Sequence, residues 1–147
     1  MKKIISTLLL AVAAMGAGVA QAQTTTATTI VADFLGPGGH SSGNYGRTSG
    51  LHAAARAVME LQKAGLPAGS YSVSELTGGN SVNSIASDGK FVVKLNPQSG
   101  VTADDLLAKV TAAAKTGAET ENAFRNVKPG DLTAGAPADV RYTVTKK

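Results

Sequence analysis

The sequence predicts an α+β domain: one four-stranded antiparallel sheet with two helices on one face. Two-residue apolar alternation occurs in four places, and apolar residues recur at spacings of three and four in two places. Turn residues separate these stretches, so the predicted order is strand, helix, strand, strand, helix, strand.

The alternation begins at Thr28–Leu35. Ile30, Ala32 and Phe34 share one face, predicted to point inward, and Val31, Asp33 and Leu35 share the other. A glycine-rich loop follows, Gly36 to Gly50, read GPGGHSSGNYGRTSG. Thr48 or Ser49 is the expected cap of a helix over Leu51–Ala64, with a stripe of Leu51, Ala54, Ala55, Val58 and Leu61 that Gln62 interrupts. Gly65 and Pro67 stop it. Ser70–Leu76 reads as a thin edge strand, with Tyr71 and Val73 alternating with serines. Lys90–Asn96 reads as the clearest strand and ends at Pro97. No helical pattern lies between these two strands, so they are expected to pair antiparallel. Thr102-Ala103-Asp104-Asp105 resembles a capping box opening a second helix. Its stripe is Leu106, Leu107, Val110, Ala113 and Ala114, with a stop near Gly117. The stretch from Ala118 to Ala138 reads as an irregular connection, and Asp139–Thr145 as the last strand. With both helices on one face this order is the ferredoxin-like βαββαβ sandwich, whose first and last strands are neighbours.

Residues 1–22 read as a signal peptide: a basic start at Lys2 and Lys3, an apolar run, and Ala20-Gln21-Ala22 as cleavage site. The mature chain is then expected to begin at Gln23 and to be periplasmic or secreted. No membrane association is expected after cleavage. A threonine-rich leader, 23–27, precedes a single domain over 28–147. Loss of Lys2 and Lys3 leaves 12 basic against 10 acidic residues, a net of +2. The basic residues are scattered and aromatics few, which gives no footprint for nucleic acid. The chain has no cysteine.

The glycine loop between a strand and a helix invites a nucleotide reading. Gly36 and Gly38 fit a dinucleotide loop, but Ser41 stands where the third glycine is needed, and Arg47-Thr48 is no phosphate-loop ending. Only two histidines, His40 and His52, are available to a metal, and the carboxylates are spread along the chain, so no metal site is expected. Asp104 and Asp105 read as helix caps and the other carboxylates as solvated. Ser41 and Ser42 follow His40, but no acid stands at a telling position and there is no G-x-S-x-G. From the residues alone, His40 is a turn residue on a loop where backbone can come close to a ligand or partner, and His52 packs beside the first helix's stripe or faces solvent.

Gly36-Pro37-Gly38-Gly39-His40-Ser41-Ser42, then Gly46-Arg47-Thr48-Ser49, His52-Ala53-Ala54-Ala55-Arg56, and Gly78-Gly79-Asn80-Ser81-Val82-Asn83-Ser84-Ile85-Ala86 resemble a known domain. It is the dimerisation, or lid, domain of the zinc-dependent aminopeptidase, carboxypeptidase and aminoacylase family, in its peptidase T-like branch. The resemblance runs from about Thr28 to Asn122. It implies a domain that pairs with a second copy through edge strand and helix, placing Tyr71, Val73, Leu76, His52 and Arg56 at a homodimer interface. It also implies that His40 donates to an oxyanion in a partner's active site, and that Asn83, with Gly79, contacts substrate. The family's third strand usually ends in aspartate-leucine-arginine, whereas this chain has Lys94-Leu95-Asn96, without the guanidinium that would hold a substrate carboxylate. No zinc-ligand motif lies before Thr28 or after Asn122. The expectation is therefore a stand-alone lid-like domain, not an enzyme by itself and without a cofactor, that self-associates or binds a protein or peptide. The alternative is an accessory chain that lends His40 and Asn83 to a separate zinc peptidase chain. A third reading is a relic selected only for folding.

Overall fold

The computed structural model describes residues 27–147; the stretch read as a signal peptide and most of that read as a leader lie outside them. The elements run β1 (Thr29–Leu35), β2 (Gly39–His40), α1 (Gly50–Gln62), β3 (Tyr71–Thr77), β4 (Ser84–Ile85), β5 (Asp88–Leu95), α2 (Ala103–Phe124), β6 (Leu132–Thr133), β7 (Ala136–Pro137) and β8 (Arg141–Lys146). The main sheet has the order β3-β5-β1-β8, and every neighbouring pair is antiparallel. This is the predicted α+β arrangement, with β3 and β5 paired and the first and last main strands adjacent. Among the described residues, no helix is long and apolar enough to cross a membrane.

Alternation in β1 and β5 builds one side of the core. Ile30, Ala32 and Phe34 are buried beside Phe91, Val93 and Leu95. The Phe34 and Phe91 rings stack with centroids 6.0 Å apart. Burying a large side chain such as Ile30, Phe34 or Phe91 is worth about 1.5–3 kcal/mol. Thr29, Asp33, Lys90, Lys94, Thr143 and Thr145 fall on the opposite face, where only the Val31–Val92 pair is buried. That face is largely polar and can be wetted.

The two helices cover the inner face and pack on each other. In α1 the buried residues are Gly50, Ala53, Ala54, Ala57 and Leu61. The buried stripe is therefore rotated from the predicted one, because α1 turns its alanines towards α2 as well as towards the sheet. Ser49 is the N-cap, its Oγ accepting from His52 N–H. Thr48 donates instead to the Ala138 carbonyl at 2.6 Å. Thr102 caps α2 by accepting from Asp105 N–H at 3.0 Å, and its hydroxyl donates to the Asp105 carboxylate. Asp104, in the first turn, accepts from the Lys146 ammonium, which holds its carboxyl below the usual carboxylate range.

The expected stop at Gly117 is wrong: α2 continues seven residues further, to Phe124. Gly117 is where α2 crosses α1. A Cβ there would lie 2.6 Å from both the Ala53 carbonyl oxygen and the Ala57 nitrogen. Hydrogen in place of a side chain lets the backbones approach, and the same residue type that ends many helices here permits a crossing. The expected irregular connection is likewise not irregular throughout. Its first residues are helical, and Leu132–Thr133 pairs with Ala136–Pro137 in a tight hairpin. Ala134 and Gly135 at its turn have φ of 49° and 80°, as a two-residue hairpin turn demands.

Gly117→Ala gains about 1 kcal/mol of helix propensity. The clash is with backbone that cannot rotate away, at about 1–3 kcal/mol. The variant is therefore expected to be less stable in urea, by up to about 2 kcal/mol, whereas the exposed neighbour Thr116→Ala shifts little. Equal or greater stability of Gly117→Ala would show the crossing to be looser than described.

Candidate functional site: a histidine–asparagine platform

The glycine loop leaves β1 through Gly36, whose N–H donates to the Ser87 carbonyl at 2.7 Å. Gly38 has a φ of 52°, and a Cβ on it would lie 2.6 Å from the Ile85 carbonyl oxygen. A glycine is required here, because the loop presses against the segment before β5. That contact becomes a ladder: Gly39 pairs with Ile85 and His40 with Ser84. Ser41 N–H then donates to the Asn83 carbonyl at 2.9 Å. The β2–β4 ladder thus brings together two side chains 43 positions apart, with His40 Nε2 and Asn83 Nδ2 at 3.1 Å.

The imidazole is held at both nitrogens. Nδ1 lies 2.9 Å from Ser42 Oγ and 3.3 Å from Ser42 N. Beyond the ring, Ser81 donates to Asn83 Oδ1. The result is a chain of polar groups, Ser42–His40–Asn83–Ser81, all exposed. Ser42 lies two residues beyond His40. It reaches the ring because the chain turns at once, with Asn44 N–H returning to the His40 carbonyl at 3.0 Å. No carboxylate joins this chain, so it orients a histidine without supplying a buried charge relay. With Nδ1–H donating to Ser42, Nε2 accepts from the Asn83 amide. With Nδ1 accepting from Ser42, Nε2–H donates to a flipped amide.

Gly79 sits apart from this pair. Its N–H donates to Asp88 Oδ1 at 3.1 Å, and it lines a separate hollow with Leu51, Ser81 and Ala86. Tyr71, Val73 and Leu76 lie along β3, at the free edge of the sheet. Burial raises the Tyr71 hydroxyl above its ordinary value of 10.0, and that hydroxyl donates to the Leu61 carbonyl, tying β3 to α1. His52 and Arg56 lie on α1 but turn towards α2 rather than β3: Arg56 Nε lies 3.1 Å and His52 Nδ1 3.8 Å from the Glu121 carboxylate. Leu66 and Gln62, which line a groove with Tyr71 and Val73, are the residues of this region beside the strand. Among the described residues no cluster of three or more metal-ligating side chains is found.

The residue that sequence reading missed is Glu121. The sequence reads it as solvated, yet it is fully buried. It accepts from Ser49 N–H at 3.1 Å, Arg56 Nε at 3.1 Å and Arg125 Nε at 3.3 Å. Two guanidiniums and the positive end of a helix offset the cost of burying its charge. Arg56 and Arg125 also flank Phe124, 4.9 Å and 5.0 Å from its ring centroid. Only the spacing of Glu121 and Arg125, at i and i+4, hinted at this from sequence, and then only if α2 is known to continue.

The fold is a ferredoxin-like α+β sandwich that carries an exposed histidine on a glycine turn. The chain belongs to the peptidase dimerisation domain family, which matches residues 24–122. Solved structures with the same fold include a hydantoinase/carbamoylase family amidase from Burkholderia ambifaria (18% identity, TM-score 0.55, covering 82% of this chain and 27% of that one). AtUAH in complex with (S)-hydroxyglycine is another (21%, TM-score 0.54, 78% and 28%). A third is the aminobenzoyl-glutamate utilization protein from Klebsiella pneumoniae (17%, TM-score 0.52, 82% and 28%). The chain therefore corresponds to between a quarter and a third of the length of each. No curated protein matches it.

Glu121→Ala leaves Ser49 N–H without an acceptor and two guanidiniums without their carboxylate. Breaking a buried pair costs about 3–5 kcal/mol. The arginines here keep some contact with water, so a loss of about 3 kcal/mol is expected in urea unfolding. Glu121→Gln keeps an acceptor for Ser49 and should lose less. A change below about 0.5 kcal/mol, the range of ordinary surface substitutions, would contradict the role assigned to this carboxylate.

Proposed function

We propose that this domain is a self-associating lid module, exported and not catalytic by itself, that pairs through the free edge of β3. The observation that carries this reading is the contrast between the two edges of the sheet. The edge strand β8 carries Arg141 and Lys146, charges that discourage further pairing. The edge strand β3, YSVSELT, carries only Glu75. Asn96 N–H donates to the Ser70 carbonyl, and Tyr71 and Val73 lie opposite Leu95 and Val93. Antiparallel alternation therefore directs the backbone groups of Tyr71 and Val73 outward. A bulge between Val73 and Glu75 ends this regular stretch. A strand pair this short buries too little for a stable dimer by itself, since such interfaces bury about 1,200–2,000 Å². The exposed Met59 and Gln62 of α1 supply further surface. Wetting of the outer sheet face suits a domain that works without a covering partner there.

A second reading rests on the His40–Asn83 pair: presented to a separate zinc-bearing chain, it supplies an oriented donor to an oxyanion. Zinc would belong to that partner. Against carboxylate recognition, Asn96 spends its amide on the Gly69 carbonyl at 3.0 Å.

Sedimentation equilibrium should give a dimer at micromolar concentration. Ser72→Lys, which puts a charge within the Tyr71–Val73 stretch of the β3 edge, should weaken it at least about tenfold, while Thr143→Lys on β8 should not. A wild-type monomer throughout, or equal effects of the two variants, would overturn the β3 interface. His40→Ala should leave the dimer intact; a two-chain amidohydrolase activity reconstituted with a zinc chain and unaffected by His40→Ala would sink the second reading. N-terminal sequencing of chain recovered from the periplasm or medium should begin at Gln23. A start at Met1 would refute export by signal cleavage.

A further inference from the structure

A cleft of about 500 Å³ separates the second half of the glycine loop from the β6–β7 hairpin, a size typical of small-molecule sites. Its walls are fixed. Thr48 Oγ donates to the Ala138 carbonyl at 2.6 Å and so ties one wall to the other. Ala138 N–H donates to the Asp131 carbonyl at 2.9 Å, and the Asn122 amide holds Val140 by both its N–H and its carbonyl. The gap is held open by bonds at its base.

The two walls carry opposite charges. Arg47 stands on the loop wall and Asp131 on the hairpin wall. Neither takes part in an ion pair among the described residues. Arg47 uses Nη1 on the Gly38 carbonyl at 3.2 Å, which leaves most of its five donors uncommitted. Asp131 accepts from Lys128 N–H with Oδ2 at 2.7 Å, and its other oxygen has no protein donor among the described residues. Two large apolar side chains also stand at this cleft, one on each wall: Tyr45 is 92% and Leu132 69% exposed. Each is unusually exposed for its type, and they sit on either side of the same opening.

A cation on one wall, an anion on the other and apolar groups at the mouth match a ligand that is itself a zwitterion with an apolar arm. We propose that this cleft binds a free α-amino acid with an apolar side chain, its carboxylate on Arg47, its ammonium on Asp131 and its side chain between Tyr45 and Leu132. The site is distinct from the His40–Asn83 platform and does not depend on the dimer. It does touch the platform through Arg47, which holds the Gly38 carbonyl two residues before His40.

Leucine is the probe, added to the full mature chain while amide resonances are followed by NMR and affinity by calorimetry. Leucine should saturate and shift the amides of 45–48 and 131–133. Three analogues divide the ligand: 4-methylpentanoate lacks the ammonium, 3-methylbutylamine lacks the carboxylate, and glycine lacks the apolar arm. The two singly charged analogues should each bind at least about tenfold more weakly, the factor expected from one lost charge-assisted hydrogen bond, and glycine, which keeps both charges, should bind more weakly through the lost apolar burial. Arg47→Gln and Asp131→Asn should each cost a similar factor. Because Arg47 also supports the loop, Asp131→Asn is the independent check from the other wall. Absence of any saturable shift with leucine would overturn the proposal. So would equal binding of leucine and either singly charged analogue, or unchanged affinity in Asp131→Asn.

Discussion

The buried Glu121 carboxylate is the constraint on which most of this structure depends. It stands where three pieces of chain meet: the start of α1 at Ser49, the middle of α1 at Arg56 and the end of α2 at Arg125. A carboxylate in that position is costly unless every oxygen is used, and here both are. Its partners thereby fix the rotation of α1 against α2 and the point at which the glycine loop descends into the helix. Gly117 and the alanines at 53 and 57 let the helices approach closely enough for those bonds to form. Small residues and a buried charge act together, since one sets the distance and the other the register.

From that anchor the loop has little freedom. Its end is held at Thr48 and Ser49, its beginning by Gly36 on Ser87, and its middle by the short ladder with Ser84 and Ile85. His40 is therefore displayed on a clamped turn rather than carried on a mobile one. Display without burial suits recognition of something outside this chain. The imidazole and the Asn83 amide satisfy one another, so Nε2 is already engaged in the free domain. The same clamping opens the neighbouring cleft, because the Thr48–Ala138 bond that seats the loop also fixes the hairpin wall.

Much of the architecture was legible in the residues. The alternation of Ile30, Ala32 and Phe34, and of Phe91, Val93 and Leu95, marked both central strands and their buried faces. Both helix starts were signalled by hydroxyl caps. The thin alternation of Tyr71 and Val73 with serines marked an edge strand. What misled was glycine. Gly117 reads as a stop in one dimension, but in three it is a crossing point, and the difference is a neighbouring helix that no local pattern reveals. The stripe of α1 was read slightly rotated for the same reason, since periodicity reports one buried direction and α1 has two.

The site divides along the same line. His40 and Asn83 were singled out from a resemblance in motif, and their neighbourhood, 3.1 Å across a ladder, is a property of the folded chain. Glu121 looked like any of ten carboxylates, because burial depends on what packs above a residue rather than on its neighbours in sequence. The sequence by itself determined the kinds of element and their order, since hydrophobic period and capping chemistry act within a few residues. Only the tertiary structure decided which glycine is a contact, which acid is buried and which serine meets His40. Those outcomes depend on distances between segments far apart in the chain, set by closure of the sheet and by the crossing of two helices.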